Sequence, residues 1–209
     1  MKLSQNPPST LVLASGNAGK VREFARLLAD LGLGISPMPP DLEVEETGVT
    51  FAENARLKAV GVAQATGCWA LADDSGLEVA ALGGAPGVLS ARYAPSDDAR
   101  IERLLKELAR AEQDARDNLR DGDRRARFVA ALALADPLGQ VVVEVEGVCQ
   151  GTILPAPLGE GGFGYDPVFW VEEVGQSFAQ MDPSLKGRLS HRGRAVEALK
   201  PRLQELWAC

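Results

Sequence analysis

The order of predicted elements agrees with an α/β fold, in which strands and helices alternate along the 209 residues. The chain opens with a buried strand, a short glycine-containing loop and an amphipathic helix. A second helix with a clear N-terminal signal follows, and two β-like runs around a turn predict a later hairpin. With 45% apolar residues, the chain can form one sizeable domain or two closely packed lobes.

The first half contains two helices with well-marked ends. Residues 11–14 are predicted to form a short buried strand, and apolar residues at helical spacing follow it. These are Val21, Phe24, Leu27, Leu28 and Leu31, with Gly32 ending the helix. Thr50 and Glu53 have the spacing of a capping box, so a second helix is predicted from Phe51 to Gly67.

Two adjacent carboxylates, Asp73 and Asp74, follow the short apolar run 69–72. We predict that this pair lies where a strand breaks, and that LEVAAL forms a further strand before a turn rich in glycine and proline. Residues 97–120 have a charged, helical pattern, and the DGDRR segment after them is predicted to be a surface loop.

The second half is predicted to contain a hairpin and a C-terminal helix. Two β-like runs flank DPLG, which has the residue types of a turn, so we expect an antiparallel hairpin. The segment GEGGFGYDPVFW is dense in glycine and aromatic residues. Leu189, Val196 and Leu199 predict an amphipathic C-terminal helix that Pro201 bends or restarts.

Charge and cysteine content exclude several classes of protein. A net charge of −7 disfavours binding of nucleic acid through a basic surface. Cys68, Cys149 and Cys209 form no CxxC pair, so neither a disulfide framework nor a thiolate zinc site is indicated. No apolar stretch approaches the length needed to span a bilayer. We therefore expect a cytoplasmic protein that does not act at a membrane.

The segment SGNAGK, residues 15–20, has the composition of an anion-binding loop but not the pattern of a P-loop. The pattern GxxxxGK[ST] is longer and ends in a hydroxyl residue, whereas Val21 follows Lys20 here. Backbone N–H groups at a helix N-terminus, with a lysine beside them, still suit an anion. Taken alone, the segment fits a phosphate-binding loop and an ordinary strand-to-helix turn equally well.

Two acidic pairs point to a metal. Asp73 and Asp74 repel one another unless a cation neutralises them. Successive side chains on a strand point to opposite faces, so one could face a metal and water while the other holds a lysine or a backbone amide. Glu45 and Glu46 form a second pair, and Lys58 lies on the helix after it. A carboxylate from each pair would suit Mg²⁺, which binds oxygen ligands together with water and substrate phosphates.

His191 is the single histidine of the chain. A Ser-His-Asp triad would need a nucleophile elbow, and the sequence contains none, so acyl hydrolysis is disfavoured. Lys186, Arg192 and Arg194 are close to His191 in sequence. This segment is better suited to hydrogen bonding with a polar ring or a phosphate.

Five segments in series resemble one family. They are SGNAGKVREF, VEETGVTFAENARLKA, ADDSGLEVAALGGAPGVLSARYA, GGFGYDPVF and LSHRGRA. From about residue 10 to the C-terminal helix, the chain resembles the inosine triphosphate pyrophosphatase family. The resemblance implies an α/β fold with an elongated mixed β-sheet flanked by helices. It also implies a single pyrophosphatase domain over residues 1–209, with two lobes, a substrate cleft between them and assembly as a homodimer.

The activity implied by the resemblance is Mg²⁺-dependent hydrolysis of deaminated purine nucleoside triphosphates, namely ITP, dITP and XTP. The bond between the α- and β-phosphates is cut, which yields the nucleoside monophosphate and pyrophosphate. Such a hydrolase of nucleotide metabolism removes these nucleotides from the pool before polymerases use them. Its partner is a small nucleotide, not a nucleic acid.

Matching positions imply roles for individual residues. The catalytic set is Asp74, which would activate water, with Lys20, Lys58 and Asp73. The metal ligands are Glu46 and Asp74, with Glu45 as a weaker candidate. The substrate-binding set is Ser15, Gly16, Asn17, Ala18, Gly19 and Lys20 at the phosphates, Ser75, and at the base Phe163, Gly164, Tyr165, Asp166, Lys186, His191 and Arg192.

Base selectivity has a physical basis. Stacking on Phe163 tolerates any purine, so hydrogen bonds must discriminate. A 6-oxo purine presents an acceptor where adenine presents a donor, and a site built for one can reject the other by roughly 10⁴-fold. This reasoning accounts for rejection of ATP, whereas exclusion of GTP must act on its 2-amino group.

Two alternatives remain open from the sequence. One is a related pyrophosphatase that acts on pyrimidine or methylated nucleotides, which the HRGRA and FGYD segments disfavour. The other is a nucleotide sensor without turnover. Asp73, Asp74 and Glu46 disfavour it, because a binder of a polyanion gains nothing from clustered carboxylates unless a metal is present.

Overall fold

The computed structural model describes residues 7–117 and 123–207, which form a seven-stranded sheet and five α-helices. The strands are β1 Thr10–Leu13, β2 Gly34–Pro37, β3 Ala70–Val79, β4 Arg125–Ala135, β5 Val141–Ile153, β6 Phe169–Val171 and β7 Gln176–Ser177. The α-helices are α1 Ala18–Leu27, α2 Phe51–Thr66, α3 Asp97–Asp117, α4 Pro183–Leu189 and α5 His191–Trp207.

The sheet is mixed and has the strand order β2-β1-β3-β4-β5-β6-β7. Strand β1 runs parallel to β2 and β3, and β6 runs antiparallel to β5 and β7. The predicted hairpin is confirmed: β4 and β5 are neighbours joined by residues 136–140. The Asp136 carboxylate stabilises this turn by accepting hydrogen bonds from the N–H groups of Leu138 and Gln140, each at 2.9 Å.

Local signals placed both ends of α2 correctly, whereas α1 ends at Leu27, before the predicted stop at Gly32. A short 3₁₀ helix extends α1, and Gly32 closes it in the left-handed conformation. At the start of α2, the Thr50 side chain accepts from the Glu53 N–H while the Glu53 carboxylate accepts from the Thr50 N–H. Gly67 ends α2, also in the left-handed conformation. The capping box is therefore confirmed.

The predicted strand break at the acidic pair is wrong. Strand β3 runs without interruption from Ala70 to Val79 and carries Asp73 and Asp74 in its middle. The strand tolerates two adjacent acids because their side chains leave on opposite faces and meet different lysines. Strand β2 was not predicted, because its four residues, GISP, show no clear alternation.

The C-terminal segment forms two helices. Of the two effects predicted for Pro201, a restart of the helix is wrong, and a bend stays a prediction. Helix α5 continues through Pro201, which is exposed. The interruption lies at Ser190, whose backbone is extended between α4 and α5. Helix α4 begins with Asp182 as its N-cap and Pro183 in its first turn, where proline needs no N–H partner.

The chain divides into two compact units. The first comprises the described residues of Met1–Asp74, Ala130–Gly147 and His191–Cys209, and the second comprises those of Ser75–Val129 and Val148–Ser190. Each unit has its own apolar core. The largest fully buried side chains are Phe24, Leu11, Leu13, Leu28, Leu71, Leu132 and Leu134 in the first unit, and Phe169, Phe178, Leu77, Leu104 and Leu108 in the second.

Close packing in the first unit depends on Gly147. A Cβ atom there would lie 2.2 Å from both the Ala195 nitrogen and the His191 carbonyl oxygen. Strand β5 can therefore approach the first turn of α5 only at a residue without a side chain.

The remaining predictions fall partly outside the described residues. Helix α3 is described as far as Asp117. Of the predicted DGDRR loop only residues 123–125 are described, and Arg125 is the first residue of β4. Cys209 also lies outside, whereas Cys68 is exposed and Cys149 is buried, and neither forms a disulfide within the described residues. None of the helices within residues 7–117 and 123–207 has the length and apolar character to cross a membrane.

Candidate active site

The opening loop places Asn17 at the N-terminus of α1. Its side-chain oxygen accepts hydrogen bonds from the N–H groups of Gly19 at 2.8 Å and Lys20 at 3.2 Å. The Ser15 hydroxyl accepts from the Asn17 N–H at 3.2 Å. Asn17 is thus the helix cap, and Gly16, Asn17 and Ala18 are exposed. An exposed helix N-terminus suits an anion, although Asn17 already satisfies two of its donors.

Lys20 contacts the first acid of the pair. Its Nζ lies 2.7 Å from Asp73 Oδ2, and the Asp73 side chain is fully buried while that of Lys20 is 19% exposed. Burial lowers the pKa of Lys20, and the charge of Asp73 only partly offsets that effect. Lys20 is therefore a mostly buried lysine whose amino group contacts a fully buried carboxylate.

Arg192 shares Asp73 with Lys20. Its Nε lies 3.2 Å from Asp73 Oδ2, and its Nη1 lies 3.3 Å from Oε2 of Glu23 on α1. All of these groups belong to the first unit. Glu23 was missed by sequence reasoning. Its position three residues after Lys20, on the same face of α1, was the available signal.

Lys58 contacts the second acid of the pair. Its Nζ lies 2.7 Å from Asp74 Oδ1, 3.0 Å from Glu46 Oε1 and 2.9 Å from the Asp73 carbonyl oxygen. Burial would lower the pKa of Lys58, but the attraction of these carboxylates outweighs it and the pKa is raised. The structure thus gathers Lys20, Glu46, Lys58, Asp73 and Asp74, hereafter the acid–lysine cluster.

Asp74 has one oxygen without a partner. Lys58 binds Oδ1, whereas Oδ2 is buried and accepts no hydrogen bond from any residue that the structure describes. Burial raises the pKa of Asp74, and the repulsion from Glu46 and Asp73 acts in the same direction against the attraction of Lys58. A buried carboxylate oxygen without a donor is suited to accept a proton or to bind a cation.

The carboxylates fit a magnesium ion that is shared with substrate. Among the described residues, no three His, Cys, Asp or Glu side chains converge as a ready-made metal site. Magnesium needs only one or two protein carboxylates when phosphates and water complete its shell. Asp74 Oδ2 supplies such an oxygen, Glu46 contacts the same lysine as Asp74, and Glu45 is exposed.

The base-side prediction falls in the second unit, at residues 163–166, hereafter the Phe163 loop. The ring of Phe163 is 37% exposed, and Lys186 Nζ lies 5.0 Å from its centre. Lys186 also forms an ion pair with Asp166 Oδ2 at 2.5 Å. An exposed aromatic face beside a fixed cation can bind a planar ring and donate to an acceptor on it.

Backbone contacts hold the Phe163 loop. Asp166 Oδ2 accepts from the Phe163 N–H, and Asp97 Oδ2 accepts from the Gly164 N–H, each at 2.7 Å. The ring of Tyr165 is buried, and its hydroxyl donates to the Ser90 carbonyl oxygen at 2.9 Å. Tyr165 therefore anchors the loop. Sequence reasoning missed Asp97 and Ser90, because they lie 67 and 75 residues from their partners.

The predicted base readers are divided between the units. His191 is buried at the start of α5 in the first unit, as is Arg192 with its carboxylate partners. Lys186, by contrast, belongs to the second unit with Phe163. Ser75 is half-buried in β3, next to Asp74.

Close relatives are known for the whole of this fold. A dITP/XTP pyrophosphatase of Prochlorococcus marinus (strain MIT 9313) is 59% identical over 196 residues, which cover 94% of this chain and 92% of that protein. A dITP/XTP pyrophosphatase of Gloeobacter violaceus is 56% identical and covers 90% and 91% of the two chains.

Solved structures of two similar proteins resemble the structure of this chain. The structure of a HAM1 protein from Coxiella burnetii has a TM-score of 0.82 and 41% identity, and the match covers 95% of this chain and all of that one. A nucleoside-triphosphatase / dITP/XTP pyrophosphatase from Mycobacterium abscessus has a TM-score of 0.69 and 40% identity over 92% of this chain and 99% of that one.

The family match covers almost the whole of the described chain. Residues 11–202 match the Ham1 family, a span that contains the acid–lysine cluster as well as the Phe163 loop. The resemblance stated from the five sequence segments is thereby confirmed: the chain belongs to the Ham1 family.

Proposed function

We propose that this protein is a nucleoside triphosphate pyrophosphatase that hydrolyses dITP, ITP and XTP to the monophosphate and pyrophosphate. The geometric observation that carries the proposal is Asp74, which has one oxygen bound by Lys58 and the other buried without a donor. Its relatives of 59% and 56% identity are dITP/XTP pyrophosphatases, which supports the substrate class.

Lys20 and Lys58 would neutralise the triphosphate. An ammonium group has three donors, so the partly exposed Lys20 can bind a phosphate oxygen while it stays in contact with Asp73. The exposed residues 16–18 at the N-terminus of α1 would add backbone donors, and Asn17 a side-chain amide. Phosphate transfer depends mainly on such positioning and charge neutralisation.

Asp74 would accept a proton from the attacking water. Its buried environment raises its pKa toward the range in which a carboxylate is a useful general base. Lys58 keeps the carboxylate oriented through Oδ1, which leaves Oδ2 for the water. Asp74 and Glu46, with Glu45 as the weaker candidate, would hold Mg²⁺, and the ion would supply further neutralisation of the phosphates.

Phe163 would stack on the purine. Lys186 lies beside its ring and could donate to the 6-oxo group, while Asp166 holds Lys186 in place. Adenine presents an amino group at that position, which cannot accept this hydrogen bond. An unpaired buried donor disfavours the wrong substrate, which is the physical basis for rejecting ATP.

One substrate panel tests the proposal. The protein is incubated with ITP, XTP, dITP, dGTP, ATP, UTP and dTTP in the presence of Mg²⁺, and pyrophosphate and orthophosphate are measured separately. We expect pyrophosphate from dITP, ITP and XTP. Orthophosphate as the product, or no release from any of these three, would refute the proposal, and tight ITP binding without release would instead indicate a sensor.

The proposal includes a homodimer, carried over from the family resemblance, and a cytoplasmic location, expected from the cysteine content and the lack of a long apolar stretch. Sedimentation velocity at several protein concentrations tests the first. Fractionation of cells that express the full chain tests the second.

A further inference from the structure

The Phe163 loop is held by an acid to which the sequence assigned no role. Asp97, the first residue of α3, accepts a hydrogen bond from the Gly164 N–H through Oδ2 at 2.7 Å. Its other oxygen accepts from Arg100 Nη1 at 2.6 Å, and Arg100 Nε donates to the Ala94 carbonyl oxygen at 3.1 Å. Arg100 thus orients the Asp97 carboxylate through Oδ1, and Oδ2 contacts the Phe163 loop.

Capping of α3 does not explain this geometry. The Ser96 hydroxyl accepts from the Ala99 N–H at 3.2 Å, so a different residue caps the helix. Asp98 places a second negative charge in the same first turn and is exposed. Any benefit of an acid near the helix N-terminus is therefore available from Asp98 as well. Of these two acids, only Asp97 accepts a hydrogen bond from the Gly164 N–H.

Gly164 has no side chain that could hold it in place, and the space where a Cβ would lie is open. Its φ is +63°, and a Cβ built there would meet no atom within 4 Å. The residues on either side are held by other groups, Phe163 by Asp166 and Tyr165 by Ser90. The peptide between Phe163 and Gly164 is thus fixed from outside the loop by Asp97.

We propose that Asp97 is a positioning residue for base selectivity. By holding the Gly164 amide, it fixes the ring of Phe163 relative to Lys186 Nζ, and so fixes where a stacked purine meets its hydrogen-bond donor. Stacking tolerates small displacements, whereas a hydrogen bond weakens steeply with angle. Loss of the anchor should therefore damage discrimination more than binding. This inference rests on the proposed function of the Phe163 loop.

The test compares substitutions at neighbouring acids. Asp97→Ala, Asp97→Asn, Asp98→Ala and Asp98→Asn are assayed for kcat and KM on ITP and on ATP, with pyrophosphate as the readout. We expect Asp97→Ala to lower the ratio of kcat/KM values, ITP over ATP, by about tenfold, the effect of one lost charge-assisted hydrogen bond. Asp97→Asn should have a smaller effect, about threefold, because an amide oxygen still accepts. Both Asp98 variants should retain the wild-type ratio.

The ratio separates positioning from stability. Partial unfolding reduces the concentration of active enzyme, so it lowers the apparent kcat/KM for ITP and for ATP by the same factor. The ratio of the two values would then stay unchanged. We further expect Asp97→Ala to raise KM for ITP more than it lowers kcat, because the acid–lysine cluster is unchanged.

An unchanged ratio in Asp97→Ala, or an equal fall in Asp98→Ala, would overturn the role of Asp97 while leaving the proposed function intact. A wild-type protein that releases no pyrophosphate from ITP, XTP or dITP would overturn both.

Discussion

The acid–lysine cluster and the Phe163 loop are built in opposite ways. In the cluster, buried charged side chains contact one another directly, as Lys58 does with Asp74 and Glu46. In the loop, backbone N–H groups are held by carboxylates, and a single aromatic ring is left exposed. The acid–lysine cluster fixes the positions of charged groups, and the Phe163 loop fixes the position of an aromatic ring.

This difference follows from what each part of a nucleotide presents. A triphosphate carries dense negative charge that must be neutralised, and buried lysines need carboxylates to remain charged before substrate arrives. A purine is flat and neutral, so its recognition depends on a fixed plane and on donors at set positions. Substitutions should therefore cost turnover or stability in the cluster, and affinity or selectivity in the loop.

The largest effect should come from removing the charge of Asp74. Asp74→Asn keeps the size of the side chain but cannot accept a proton from water at neutral pH. We expect kcat to fall by about 10³-fold or more, within the range for a lost general base that also stabilises charge. Pyrophosphate release measures the loss, and circular dichroism checks the fold. Turnover near that of the wild type would remove Asp74 from the mechanism.

The second-largest effect should be the loss of stability caused by Arg192→Met. Arg192 is buried between Asp73 and Glu23, and its loss leaves Glu23 buried without its cation. We expect the free energy of unfolding to fall by about 3 kcal/mol, as for other broken buried pairs. Urea unfolding measures it. The double variant Arg192→Met with Glu23→Gln should recover part of the loss, and a double variant no more stable than Arg192→Met would contradict the pairing.

A purely substrate-directed effect is expected for Phe163→Ala. The ring is partly exposed, so the melting temperature should change little. Loss of stacking should lower kcat/KM for ITP by about 10- to 100-fold, mostly through KM, since a stacked base contributes about 1–3 kcal/mol. Phe163→Trp keeps a stacking surface and should retain most of the activity. An alanine variant with unchanged KM would show that the ring does not bind the base.

The smallest effect should come from Asn17→Ala. Asn17 caps α1, and loss of an N-cap typically costs about 1 kcal/mol of stability. Asn17→Ser restores a capping oxygen but not an amide donor. If Asn17 also binds phosphate, the serine variant should recover the stability measured by thermal unfolding without recovering KM for ITP. Full recovery of both would limit Asn17 to its capping role.

Helix ends and the hairpin could be predicted because their signals are local. Thr50 and Glu53 are three residues apart, and the DPLG turn lies between its own two strands. The acidic pair shows where such reasoning fails. Two adjacent acids were expected to end a strand, and they do not, because lysines from two other elements neutralise them.

The candidate residues of the acid–lysine cluster were named from the sequence by family resemblance, but their pairings were not. Arg192 was expected to read a polar edge of the base. It forms ion pairs with Asp73, 119 residues away, and with Glu23, and its role at the base stays a prediction. Tyr165 was expected to shape the base pocket, which stays a prediction; it is buried, and its hydroxyl donates to the distant Ser90 carbonyl oxygen. A pattern that spans a few residues cannot reveal contacts between residues so far apart in sequence.

The amino-acid order alone was enough for the α/β class, the capped helices, the family and the types of side chain at the site, because periodicity, caps and motifs are written within a few residues of chain. Tertiary structure decided which acid neutralises which cation, which oxygen of Asp74 remains open, and that Asp97 holds Gly164. These outcomes depend on burial and on contacts between distant segments, and both arise only when the chain packs.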